Sequence, residues 1–134
     1  MLFRSNIVHG VLFVTHIVAS LAATVIVVVM RSEAQGRREA QPSERVNIPR
    51  NMAARLFHLI PVTGALVVVT SRGDISWSAP WVSVGMALYL VSAGVLEARA
   101  LPAECRGDDA TVERSVEWTL VLLALAALVM LIQF

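Results

Sequence analysis

Four stretches of this 134-residue chain contain no ionised side chain: Ser5–Met30, Leu56–Ser71, Ile75–Leu96 and Trp118–Phe134. A charged group at mid-bilayer costs several kcal/mol and is excluded unless it is paired or functional, so windows of this kind mark candidate spans. At about 1.5 Å rise per residue, a helix needs roughly 20 apolar residues to cross a hydrocarbon core about 30 Å thick. The first and third windows meet that length. The second and fourth are shorter, but Arg55 and Arg72 flank the second and can snorkel to the two interfaces, and the C-terminal carboxylate can sit among headgroups after the fourth. The windows predict an all-α single domain over residues 1–134, a four-transmembrane-helix bundle with spans at about 6–30, 54–71, 75–97 and 116–134. Loops are expected at 31–53 and 98–115.

Composition points the same way, since 57% of the residues are hydrophobic and only 16% are charged, against about 25% charged in soluble domains. A net charge of +1 gives no case for nucleic acid. The basic residues are all arginine, a habit of high-GC bacteria. The lone Cys105 excludes an internal disulfide or a multi-thiolate metal site. Arg4 and the small residues at Ser20–Ala23 resemble parts of a signal peptide, but the apolar run continues well past them and reads as an uncleaved span.

Arginine placement predicts orientation, because cytoplasmic loops collect positive residues. The first loop holds Arg31, Arg37, Arg38, Arg45, Arg50 and Arg55, and the third holds Arg99, Arg106 and Arg114; only Arg4 and Arg72 fall on the other side. The expected topology is N-out and C-out in a bacterial inner membrane. Between spans two and three lies a tight outer hairpin, "SRGDISWSAP", whose Trp77, with Trp81 just beyond it, suits an interface. The first loop is rich in Arg, Glu, Gln and Pro and is expected to be flexible alone. Asn51 is the expected N-cap of the second helix, and Thr111 or Ser115 that of the fourth, with Glu113 or Glu117 near its positive end.

Within the spans, "HGVLFVTH" places His9 and His16 seven residues apart. With Ser20 and Thr24 they form one polar stripe, flanked by Gly10 and Ala23. Small and hydrogen-bonding residues make helix–helix seams in lipid, where water supplies no drive to associate. The stripe therefore reads as a packing face. A ligand set is the alternative, since neutral imidazole binds haem iron, copper or zinc. His58 is the third histidine, but antiparallel helices would set it roughly 9 Å in depth from His16, against a bis-histidine haem within one copy. No span contains a carboxylate for a proton relay; Glu97 and Glu117 read as interface residues, Glu97 pairing Arg55 or Arg99. In "HLIPVTG", Pro61 frees a carbonyl that Thr63 can satisfy, and Gly64 admits a close neighbour. Ser83, Gly85, Ser92 and Gly94 mark a close-packing side of the third span, with Tyr89 available to bond within the bundle. No Walker loop, catalytic triad, zinc-protease motif or dinucleotide fingerprint is present.

An early histidine in span one, "IP" with a glycine three residues on in span two, and "W" opening span three with "LYLV" following resemble the CopD-like superfamily of small four-helix bacterial membrane proteins. The likeness is to a branch of unknown function and covers nearly the whole chain. The superfamily includes copper-resistance proteins and a haem-binding protoporphyrinogen oxidase, so the resemblance implies His9 as a ligand position. A tryptophan and paired glycines are common after the first histidine, where this chain reads "THIVAS", and His16 stands where a bulky residue is common; that departure weakens transfer of any specific activity.

The expected function is a non-enzymatic accessory subunit packing against a larger respiratory or transport complex, with other membrane subunits and lipid as partners and no cofactor. Gly10, Ser20, Ala23, Thr24, Pro61, Gly64, Gly85 and Gly94 are its candidate packing and partner-face residues. The alternative is a redox protein holding haem b or copper through His9, His16 or His58. A small transporter or channel, possible only as an oligomer, comes third.

Overall fold

The structure is a computed structural model that describes residues 2–39 and 50–133, with side chains described from Ile7 to Glu39 and from Leu56 to Gln133. Helix α1 spans Leu2–Glu39, α2 Arg50–Thr70 and α3 Pro80–Val95; α3 runs through a π-helical turn at Leu96–Ala100 into α4, Leu101–Arg106, and α5 spans Asp109–Ile132. The described residues form no strand. Ile7–Glu39, Pro80–Arg106 and Asp109–Ile132 are long and apolar enough to cross a membrane, at 33, 27 and 24 residues. The described apolar part of α2, Leu56–Thr70, is shorter. Large apolar side chains point outward along the rods, among them Val14, Val18, Leu21 and Val25 on α1, Val62 and Val69 on α2, and Leu125 and Leu128 on α5. A surface of this kind suits lipid rather than water.

Consecutive rods alternate in direction, and α1 packs on α2 and α5 while α3 packs on α5. One end of the molecule therefore gathers the Ser71–Ala79 hairpin and the C-terminus of α5. The other, charged, end gathers the C-terminal part of α1, the start of α2, the π turn, α4 and the start of α5. The tightest packing lies toward this charged end, where Ala23, Val27, Ala34, Phe57, Leu96, Ala100, Ala103, Val112 and Val116 are fully buried. Four alanines at such positions let backbones approach closely.

Several expected loops are helical instead. Arg31–Glu39, expected to be flexible, continues α1 because its arginines meet a row of acids on α5 spaced one turn apart. Arg31 pairs with Glu117 at 2.7 Å, Arg37 with Asp109 at 2.9 Å, and Arg38 with Glu113. The same stretch carries Ala34 into the core. The rest of that expected loop, residues 40–49, lies outside the described residues. Single exposed pairs contribute a few tenths to about 1 kcal/mol, so the row acts as a set. Neutralising it with Asp109→Asn, Glu113→Gln and Glu117→Gln is expected to speed amide hydrogen exchange of residues 31–39 by roughly fivefold or more. Unchanged exchange there would show that apolar packing alone holds the extension.

Residues 98–115, the other expected loop, are helical but for a turn at Gly107–Asp108. Pro102 has no N–H to give the carbonyl of Ala98, and the helix widens ahead of it: the Leu101 N–H reaches back five residues to the Leu96 carbonyl. α4 ends at Gly107, whose φ of 73° places it in the left-handed region, while the Asp108 N–H bonds the Ala103 carbonyl at 3.0 Å. Neither Thr111 nor Ser115 caps α5. Asp108 does, its Oδ1 accepting the Thr111 N–H at 3.1 Å. Hydrogen bonds from Thr111, side chain first and then backbone, hold the Asp108 carboxyl below the usual aspartate range. This cap contributes above the ordinary aspartate pKa and is lost as pH falls through the lowered one. Asn51 sits in the first turn of α2, and its side chain lies outside what is described. The third helix starts at Pro80, not at 75, because the hairpin takes residues 71–79: the Ser71 Oγ accepts the Ile75 N–H at 3.0 Å, and Arg72 and Gly73 have positive φ.

Candidate functional site

Both histidines of α1 meet α2. His9 Nδ1 lies 3.0 Å from Thr70 Oγ1, and His16 Nδ1 lies 2.9 Å from Thr63 Oγ1. The residue numbers of each pair sum to 79 (9 + 70 and 16 + 63), the constant sum of one antiparallel register. Each threonine hydroxyl already donates to its own helix: Thr63 to the Leu59 carbonyl at 2.7 Å, Thr70 to that of Leu66 at 2.7 Å. A hydroxyl has one proton, so its oxygen accepts from the imidazole. Both rings thereby present Nδ1–H to a threonine, and the His16 ring also bonds the Ile60 carbonyl.

Gly64 makes room for the inner pair. A Cβ there would stand 3.1 Å from His16 Cε1. Pro61, one turn from the His16 contact, removes the N–H that would bond the carbonyl of Phe57. Contrary to the expectation from the sequence, Thr63 does not satisfy that carbonyl, because its hydroxyl is committed to Leu59 and its oxygen to His16. Tyr89 of α3 does: its hydroxyl donates to the Phe57 carbonyl, and its ring stacks on that of Phe57 with centroids 6.2 Å apart.

His58 stands apart from the other two. It is exposed and pairs with Glu97 at 3.2 Å; among the described residues Glu97 forms no ion pair with Arg99, and the Arg55 side chain lies outside them. In the observed register the residue level with His58 on α1 is Leu21. That puts His58 five residues, roughly 7–8 Å along the axis, from the level of His16. A bis-histidine haem needs two imidazoles facing each other at one depth, and these three do not supply them within one copy. No group of three or more histidine, cysteine or acidic side chains suited to a metal occurs among the described residues.

The candidate packing residues divide. Ala23 is fully buried. Gly64 lies beneath His16, and Gly85 lies against Met130 of α5. Ser20 and Thr24 bond carbonyls four residues back on α1, those of His16 and Ser20. Gly10 and Gly94 have open space where a Cβ would stand. The expected single close-packing side of α3 is two sides: Gly85, Tyr89 and Ser92 are buried, while Ser83, Ala87, Val91, Gly94 and Ala98 form an exposed stripe. Residues two apart on a helix differ by about 200°, so Ser83 and Gly85 cannot share a face. No family model, curated protein or solved structure matches this chain.

Proposed function

We propose that the chain is a non-enzymatic accessory subunit of a bacterial inner membrane, one that packs against a transmembrane helix of a larger complex. The observation that carries this reading is the stripe Ser83, Ala87, Val91, Gly94 and Ala98, which faces away from the bundle along most of α3. Large side chains cover most of the remaining outer surface. A groove of small residues among them lets a foreign backbone come close, and such approach drives helix association in lipid. Arginines 31, 37, 38, 99, 106 and 114 at the charged end, against Arg72 at the hairpin end, support a cytoplasmic charged end and an N-out, C-out topology.

Purification of a tagged copy at native level in mild detergent tests the reading. A stoichiometric membrane partner is expected, with its recovery reduced by about tenfold in Gly94→Leu, the equivalent of roughly 1.4 kcal/mol. Recovery as a lone monomer, or full retention of the partner by the variant, overturns it. The second reading is a haem or copper ligand from a single histidine, favoured by His9, whose ring is oriented by its Nδ1 contact to Thr70. An absorption spectrum separates the two, because a Soret band or copper transition lost in His9→Ala or His16→Ala belongs to the second alone.

A further inference from the structure

The charges at the charged end are sorted between two faces of α5. Asp109, Glu113 and Glu117 face α1 and are matched by its arginines. On the other face, Thr111, Arg114, Ser115 and Trp118 line a cleft of about 300 Å³, closed on its far side by Val95 and Arg99 of the α3 rod. Two guanidinium groups thus border one cleft. Among the described residues, neither forms an ion pair with a carboxylate. Like charges brought to one concave site repel unless an anion lies between them.

The depth of the cleft says what kind of anion. Trp118 opens the last charge-free window and is exposed, so the rim lies where the apolar belt of the bundle gives way to charge. Indoles favour that level, with the ring among acyl chains and the N–H among headgroups. Arginine forks match phosphate oxygens in a bidentate manner, and the Thr111 and Ser115 hydroxyls add neutral donors. Val95 and the Trp118 ring provide apolar walls on the membrane side.

We infer that this cleft binds the phosphate of an anionic phospholipid, with Arg99 and Arg114 as the charged ligands and Trp118 against the glycerol and upper acyl region. Basic recesses between helices at the cytoplasmic surface have this chemistry. The inference needs the membrane-spanning helices and not the partner proposed above, so either can fail alone.

The test places the full chain in nanodiscs of phosphatidylcholine, with or without phosphatidylglycerol, and counts phospholipid retained per protein by native mass spectrometry. Wild type is expected to retain one phosphatidylglycerol against an excess of phosphatidylcholine. Arg99→Gln with Arg114→Gln is expected to lower that retention by about tenfold or more. Arg106→Gln, at the same end but outside the cleft, is expected to behave as wild type. Circular dichroism of each variant establishes that its helices are intact, and loss of retention on single substitution of Arg99 or Arg114 stands in for a double variant that does not fold. Equal retention by the double variant, or an equal loss in Arg106→Gln, overturns the site. If millimolar inorganic phosphate displaces the retained lipid completely, the cleft is a soluble-anion site and the lipid assignment is overturned.

Discussion

Replacing Tyr89 with Phe is expected to destabilise the folded chain by about 1–3 kcal/mol, the cost of leaving a buried carbonyl without a donor. The substitution removes one oxygen and keeps the ring stacked on Phe57, so packing loss is small. What is lost is the hydroxyl that serves the Phe57 carbonyl, which Pro61 leaves without its helical N–H. The causal claim is testable because the two residues answer to the same carbonyl. Pro61→Ala restores a backbone N–H to that site, and in its background Tyr89→Phe is expected to cost less by about 1 kcal/mol or more. Unfolding in detergent of the two single variants and the double variant gives this coupling directly. Additivity within about 0.5 kcal/mol would show that the Tyr89 hydroxyl does not act through the carbonyl that Pro61 leaves open.

Gly64→Leu is expected to be as damaging, at about 1–3 kcal/mol for overpacking, because the new side chain enters space that the His16 ring occupies. The first added carbon already stands 3.1 Å from His16 Cε1. The imidazole must move, and its bond to Thr63 is strained or broken. His16→Ala is expected to restore much of the lost stability in the Gly64→Leu background, since the methyl leaves room for the leucine. No recovery in the double variant would mean that the glycine serves the backbone of α2 and not the histidine. Gly10→Leu, at an open position on the same helix as His16, is the control and is expected to change stability little.

The charge-free windows made the three long apolar helices legible, and Pro61, Gly64, His9, His16 and Tyr89 all stand out against apolar surroundings. Their pairing did not. A helical wheel shows that His16 shares a face with His9, but nothing in one strand of text says which threonine of α2 lies opposite. The donor for the Phe57 carbonyl is hidden for the same reason: Thr63, two residues from Pro61, is visible in sequence, and a tyrosine 28 residues away on another helix is not. The charges from Arg31 onward mask the helical reach of α1, because an ionised residue ends an apolar window without ending a helix. A signal did exist, since Ala23, Val27, Met30 and Ala34 recur at spacings of four, three and four. That apolar stripe runs straight through Arg31 into the charged segment, and all four residues are buried. In Arg31–Glu39 the ionised side chains face the acids of α5 and the interface while the stripe continues beneath them.

The shared register of the two histidine–threonine pairs has a consequence for how α2 sits in a membrane. The described apolar part of α2 spans only about 22 Å at 1.5 Å per residue, short of a hydrocarbon core about 30 Å thick. Lipid alone would leave such a helix free to bob by several ångströms at little energy. The pairs act as a vernier against that motion. Histidines seven apart on α1 meet threonines seven apart on α2, so a slide of one turn breaks both bonds. A slide of seven residues recovers only one. In a four-span bundle the depth of α2 would thus be set by its neighbour and not by the bilayer, and such a bundle would be indifferent to modest changes in membrane thickness.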